Sequence, residues 1–196
     1  MKRDFEITGL YYEKNGYKLR KFLDIQRKDS NQHIPDLMVV MMNPGSSYPL
    51  DGVDNSTVPT PAEPDKTQHQ IMKVMNIASL NYARILNLSD LRTPDSNELF
   101  NFLKSKKSKD VDHSIFSDFR EAELDELFIK GLPVIYGWGV NEALIPLAKL
   151  AVDALHVENP LGKLKAGTEC SYYHPLPQNY PAQQEWVQYV SNQLAR

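Results

Sequence analysis

The chain has one cysteine, Cys170, which excludes an internal disulfide, and it has no C-x-x-C pair for zinc or dithiol chemistry. That usage fits a reducing compartment, so a cytoplasmic location is expected. The longest unbroken apolar run, residues 37–42 (LMVVMM), falls far short of the roughly 20 residues that span a bilayer. No membrane association is expected. The opening residues start basic but then alternate polar and apolar, without the continuous apolar stretch of a secretory signal. Positive charge is not in excess either: the net charge is -3, which argues against a protein that coats nucleic acid by charge alone. The five histidines include no H-x-x-x-H pair, so no metal site is expected. G-x-x-x-x-G-K-[ST] is absent, and Gly137-x-Gly139 is followed by Glu142 where a dinucleotide fingerprint needs a third glycine. No cofactor is expected. Cys170 and His174 lie in a stretch that reads as strand and turn, where a spacing of four does not bring them together, and no carboxylate or amide partner is near. A Cys-His nucleophile is therefore unsupported.

What is present is 196 residues, 41% hydrophobic and 24% charged, enough for one substantial core. One domain over 1–196 is expected, with a hairpin extension over 1–30 and an α/β core over 36–194. Residues 5–28 hold two aromatic and β-branched runs around Asn15-Gly16, a strong hairpin signal. DLMVVMMN (36–43) reads as a parallel strand buried on both faces. Residues 44–66 are rich in Pro, Gly, Ser, Thr and Asp and read as a long functional or mobile loop. Thr67 can cap a helix bearing Ile71, Val74, Met75 and Ala78 at helical spacing. ARILNL (83–88) and LPVIY (132–136) read as further strands, and a fourth is expected within 166–173. Residues 96–109 read as helix and then basic run, and 116–130 as a helix with Phe119, Leu124, Leu127 and Phe128 on one face. Pro146 should kink the helix in 141–156 or mark its first turn, and a last helix is expected from about residue 181 to 194. The alternation predicts an α/β fold: a three-layer α/β/α sandwich around a mostly parallel four-stranded sheet.

Asn43, Asn87, the Gly137-Trp138-Gly139 turn and His174 each follow one predicted strand. In a parallel sheet these ends converge on one edge, where α/β proteins bind ligands. Asn43 offers an acceptor and a donor to a water or a ligand edge, while Pro44 and Gly45 fix the turn and let backbone approach closely. Asn-Pro-Gly is equally ordinary turn chemistry. His174 can donate to an anion forming on a leaving group, or it can be a histidine in a proline-rich turn. Asn87 can read a base edge or satisfy loop backbone. Asp51, Asp54 and Asp65 are candidates for activating water or binding a sugar hydroxyl, although loop aspartates are commonly caps. Tyr48, Trp138, Tyr172 and Tyr173 can stack on a planar base or simply pack. The run KSKKSK (104–109) reads as a solvated loop or a phosphate contact.

Those strand ends, in order, resemble the uracil-DNA glycosylase superfamily. Its mismatch-specific branch has an Asn-Pro-Gly like that of MMNPGSS (41–47). A middle strand ends in an Asn within a run similar to RILNLSDLRT (84–93), and a Trp-Gly turn leads into a helix as in VIYGWGVNEA (134–143). The His-Pro-Ser-Pro motif resembles HPLP (174–177), and the likeness covers most of 36–194. The chain looks closer still to the bacterial and phage family called "domain of unknown function 1643", which shares the hairpin, the Asn-Pro motif, an Asp-x-Thr like 65–67, the Trp-Gly turn and a His-Pro-Leu motif. That second likeness implies no activity.

The superfamily resemblance implies that Asn43 positions a hydrolytic water, Asn87 reads the pyrimidine edge and His174 stabilises the departing base anion. Pro44, Gly45, Asp65, Trp138, Gly139 and Tyr173 complete the expected binding set. The implied activity is metal-independent hydrolysis of a nucleobase N-glycosidic bond in DNA or a nucleotide. Leu176 stands where the motif has serine, and QNYP (178–181) stands where a DNA-inserting leucine loop belongs; both changes weaken duplex insertion more than a base pocket. The second reading is a non-catalytic nucleobase- or nucleotide-binding, or nucleic-acid-sensing, protein of the same fold. A third, a structural interaction protein, predicts neither binding nor base release.

Overall fold

The structure, a computed structural model, describes residues 4–195, so residues 1–3 and 196 of the expected 1–196 span lie outside it. Strand β1 (Phe5–Lys14) turns through Asn15 and Gly16 into β2 (Tyr17–Arg27). Both turn residues have positive φ, 54° and 77°, the mirror-image turn that matches strand twist and that Asn-Gly favours. The expected hairpin is therefore present, but it is not an extension. Strand β2 pairs antiparallel with β6 (Tyr82–Asn87), Leu23 opposite Ile85, and so joins the central sheet.

Beyond β6 the sheet continues in parallel through β3 (Leu37–Met41) to β7 (Val134–Gly137). On the far side β5 (Thr60–Glu63) pairs with β1, and β4 (Tyr48–Pro49) pairs with β5, both antiparallel. The order is β4-β5-β1-β2-β6-β3-β7. The expected four-stranded, mostly parallel sheet is thus corrected to a seven-stranded, mostly antiparallel one that remains α/β overall. The expected fourth strand within 166–173 does not form: the span is mostly turn, and Tyr172 alone makes isolated bridges, to Leu164 and Gly139. Lys165 N–H donates to Ser171 O, Thr168 N–H donates back to Lys165 O, and Gly167 sits at φ 74°, so the chain doubles back where a strand would run straight.

Side chains alternate across the sheet as strand geometry requires. Leu37, Val39, Met41 and Ile85 pack against α1 (Lys66–Ala78) and α6 (Tyr180–Leu194). Met38, Val40, Leu86 and Tyr136 share the opposite cluster with α2 (Ser96–Lys104), α3 (Lys107–Val111), α4 (Glu121–Leu127) and α5 (Ile145–Leu155). Pro146 lies in the first turn of α5, where its missing N–H has no partner to lose. Phe119 corrects a further expectation: it is 92% exposed. Residues 118–120 form a tighter turn of three residues per repeat ahead of α4, which shifts the phase and buries Arg120 instead. No helix among the described residues is long and apolar enough to cross a membrane.

A buried polar layer underlies the carboxyl ends of the parallel strands. Arg120 Nη1 donates to Asp90 Oδ2 at 2.7 Å, and Tyr12 OH donates to the same oxygen at 2.6 Å. Burial pushes the Asp90 carboxyl up to about 6 despite Arg120. Burial also pushes His113, 2.9 Å from Ser89 Oγ, down to about 4.

Removing one member of a buried pair strands the other's charge. Arg120→Ala should lower the unfolding free energy by about 3–5 kcal/mol in urea titrations, with Asp90→Asn added to it restoring part of the loss. A depressed histidine makes the folded chain bind fewer protons than the unfolded chain, so its contribution is lost as pH falls from the ordinary histidine range toward about 4. The raised Asp90 acts oppositely, gaining stability on acidification, and it is common to wild type and a His113→Asn variant. Between neutral pH and about pH 4, wild type should therefore lose about 3 kcal/mol more than that variant. Parallel stability–pH curves would contradict the assignment.

Candidate functional site

The parallel register sets the ends of three strands level: Met41 lies beside Asn87 on one side and Gly137 on the other. Two residues past Met41, Asn43 turns its amide nitrogen onto two carbonyls of the neighbouring loop, Leu91 O at 3.1 Å and Thr93 O at 2.8 Å. Both amide hydrogens are thereby used, and Oδ1 is the group left for a ligand. Gly45, at φ 63°, carries the chain onward, and a Cβ there would overlap Asp65 Oδ2.

Asp65 is the cap of α1. Its Oδ1 accepts from Thr67 N at 2.7 Å and from Gln68 N at 3.1 Å, while Gln68 Oε1 accepts from Asp65 N. The cap expected at Thr67 is thus corrected by two residues: Asp-x-x-Gln forms a reciprocal box that Thr67, lying inside the first turn, cannot. Capping occupies one carboxylate oxygen and leaves Oδ2 on the side of Gly45.

His174 reaches the same edge without a strand beneath it. Gly139 N–H donates to Tyr172 O at 2.8 Å, Pro175 packs over Gly137, and α6 anchors the segment through Trp186 Nε1 to Tyr173 O at 3.0 Å and Gln183 Nε2 to Pro177 O at 2.8 Å. Leu176 N–H donates to His174 Nδ1 at 3.2 Å. With Nδ1 accepting, the neutral ring carries its proton on Nε2. Burial pushes the imidazole below its ordinary pKa, offset in part by Asp65, so the neutral donor form is favoured.

Asn43, Gly45, Asp65, Thr67, Thr93 and His174 line one cleft of about 290 Å³, at the small end for ligand sites. Of the nine residues of the expected site, Asn43, Gly45, Asp65 and His174 are brought together. Five are not. Pro44 is buried. Asn87 has no exposed surface and lies beneath Asn43, its nitrogen 3.2 Å from Asn43 O and its oxygen accepting from Arg20 Nη2 at 3.1 Å. Trp138 is fully buried, donates to Cys170 O at 2.8 Å and stacks with Tyr136 and Tyr172. Gly139 and Tyr173 do not line the cleft, and Lys163 Nζ sits over the Tyr173 ring at 5.8 Å. The other loop aspartates are also accounted for: Asp54 pairs with Arg92 at 2.5 Å, and Asp51 caps its own turn through Val53 N at 3.0 Å.

Thr93 and Arg20 were not foreseen. Arg20 is fully buried and burial lowers its pKa; its Nε and Nη1 have no hydrogen-bond partner among the described residues. In sequence it reads as the polar face of a strand, and no local pattern says that this face is covered. Among the described residues no cluster of three or more His, Cys, Asp or Glu side chains is placed to hold a metal ion.

Gly45→Ala and Gly52→Ala both place an L-residue at positive φ, a strain of about 1–2 kcal/mol, but a Cβ at Gly52 meets nothing within 4 Å. In thermal or urea unfolding Gly45→Ala should lose more stability than Gly52→Ala, the excess reporting the collision with Asp65. Equal losses would contradict the packing of Asp65 against the turn. Compared with family models, curated proteins and solved structures, the chain matches none.

Proposed function

We propose that the cleft receives a single nucleobase and that the protein hydrolyses its N-glycosidic bond in DNA or a nucleotide. The observation that carries this reading is the meeting of Asn43 and His174, 131 positions apart in the chain, in one small cleft beside the free oxygen of Asp65. The motif resemblance to uracil-DNA glycosylases agrees with it, although the sheet is not the four-stranded, mostly parallel one that the resemblance implies.

The chemistry follows from the atoms available. Heterolysis of the bond between the anomeric carbon and the base nitrogen sends the electron pair to the base and leaves positive charge on the sugar. His174 Nε2–H donates to a base oxygen as that negative charge develops, which lowers the barrier without a proton having to move first. Asn43 Oδ1 accepts a hydrogen bond from the attacking water, and Asp65 Oδ2 takes the proton as the water oxygen bonds to the anomeric carbon. The anionic carboxylate also opposes the sugar's positive charge. Asn87 acts from below, holding the Asn43 backbone. A duplex substrate must first extrude its base.

One observation favours the second reading, a base-binding sensor: Asn87, the residue the resemblance assigns to reading the base, is withdrawn under the floor. The discriminating assay presents uracil-, hypoxanthine- and modified-base substrates, single-stranded, duplex and mononucleotide, and detects abasic sites or free base. The wild type is expected to release at least one base, and Asn43→Ala and His174→Ala should each lose about 10²–10³ of the rate. Because the neutral imidazole is the working donor, the rate should hold level from about pH 7 upward. A rate that falls as pH rises through that range would mean that imidazolium is required. Binding across the panel with no release would select the sensor.

A further inference from the structure

Lys66 and Leu176 line both the candidate cleft and a second, neighbouring groove of about 570 Å³ between α1 and the 176–183 segment. One wall is a single stripe of α1, since Lys66, His69, Gln70 and Lys73 recur at helical spacing. Gln183 on α6 fixes this wall by accepting from Gln70 Nε2 at 3.1 Å. No acidic side chain lines the groove. Among the described residues none of Lys66, His69 and Lys73 is paired with a carboxylate, and Lys73 reaches only the amide oxygen of Gln70, at 3.1 Å. Some cations elsewhere are matched, Lys21 by Glu123, Arg84 by Asp24 and Arg92 by Asp54, whereas others, such as Lys106, Lys107 and Lys109, have no carboxylate partner among the described residues. In a chain of net charge -3, two ammonium groups on a groove lined by no carboxylate make a local field of opposite sign.

We propose that this groove holds the sugar-phosphate backbone of a single-stranded nucleic acid, a reading that rests on the cleft beside it taking a base. Lys66 belongs to both cavities, so the phosphate next to a base seated in the cleft meets Lys66 first. From Lys66 to Lys73 the helix rises about 10 Å, further than the single phosphate of a nucleoside monophosphate reaches. Two lysines on one face of a single helix offer charge to one backbone, not to the two strands of a duplex. The facing segment adds Leu176, Pro177 and the amide of Gln178 to the lining.

The test is fluorescence anisotropy with a labelled single strand of roughly 12 nucleotides, titrated with the full-length protein at several salt concentrations. His69 and Lys73 are half-exposed, so the pair His69→Gln with Lys73→Gln keeps the fold. The triple variant Lys106→Gln, Lys107→Gln, Lys109→Gln removes more charge, from α3 and the residue before it, and serves as the control. The groove variant should bind about five- to tenfold more weakly at low salt, and the slope of log K against log salt should shrink by about 0.7 for the lost lysine. The control should change affinity less than about twofold. The proposal is overturned if wild type does not bind the strand, if the groove variant binds as wild type does, if the control weakens binding as much, or if a nucleoside triphosphate at equal phosphate concentration displaces the strand. Because the readout is binding, a wild type that releases no base leaves this inference standing. Groove variants without effect leave the glycosylase reading standing.

Discussion

One carboxamide ties the working edge of the sheet together. Asn43 Nδ2 holds the carbonyls of Leu91 and Thr93, so the loop after β3 and the loop after β6 move as one piece. The parallel backbone ladder brings the strands level, and two further bonds extend it past the strand ends, Leu88 N to Met41 O at 2.8 Å and Ser89 N to Met42 O at 3.1 Å. Gly45 clears Asp65 because it has no Cβ, and Asp65 in turn must stay fixed to cap α1. The cleft is a consequence of these linked constraints: each polar group has one end consumed by structure and the other left toward the ligand space.

The same logic explains the polar layer below. Asn87 satisfies Asn43's carbonyl on one side and Arg20 on the other, while Asp90 gathers Tyr12 and Arg120. Burying ionisable groups is unfavourable unless they are paired, and the bonds to Asp90 hold Tyr12 and Arg120 in one geometry, while Arg20 is only partly satisfied. The edge that carries the candidate chemistry is thereby stiffened from beneath. The β1–β2 hairpin contributes directly: Tyr12 comes from β1 and Arg20 from β2, so the hairpin supplies two members of this layer as well as two strands of the sheet.

Much of this was legible in the chain. The both-face apolar run before Asn43, the Asn-Gly turn, and the strand-ending positions of Asn87 and Gly137 read directly from local pattern. Local pattern does not say which strand lies beside which, so a hairpin with alternating burial was indistinguishable from an appendage until β2 paired with β6. The stretch 166–173 has strand-like composition, but Gly167 and the bonds around it bend the backbone. For the site, Asn43 stands out as a short polar residue after a buried strand, whereas Asp65 reads only as one of three loop aspartates. His174 reads as the end of a strand that does not form, so its place in the cleft comes from the Gly139–Tyr172 bond and from α6. Asn87 was placed in the cleft by analogy, and only side-chain geometry put it underneath. Arg20 and Thr93 carry no local signal.

The central claim is that His174 presents a neutral Nε2–H, and Asn43 a free Oδ1, to one flat guest. Nitrogen-15 NMR of the histidine rings during titration with free uracil tests this most directly. The account predicts an unprotonated Nδ1 and a protonated Nε2 on His174 before ligand is added, a shift of Nε2–H on binding together with the Asn43 side-chain amide, and no change at buried His113. A His174 already in the imidazolium form at neutral pH, or base-induced shifts at His113 that leave His174 and Asn43 untouched, would contradict it.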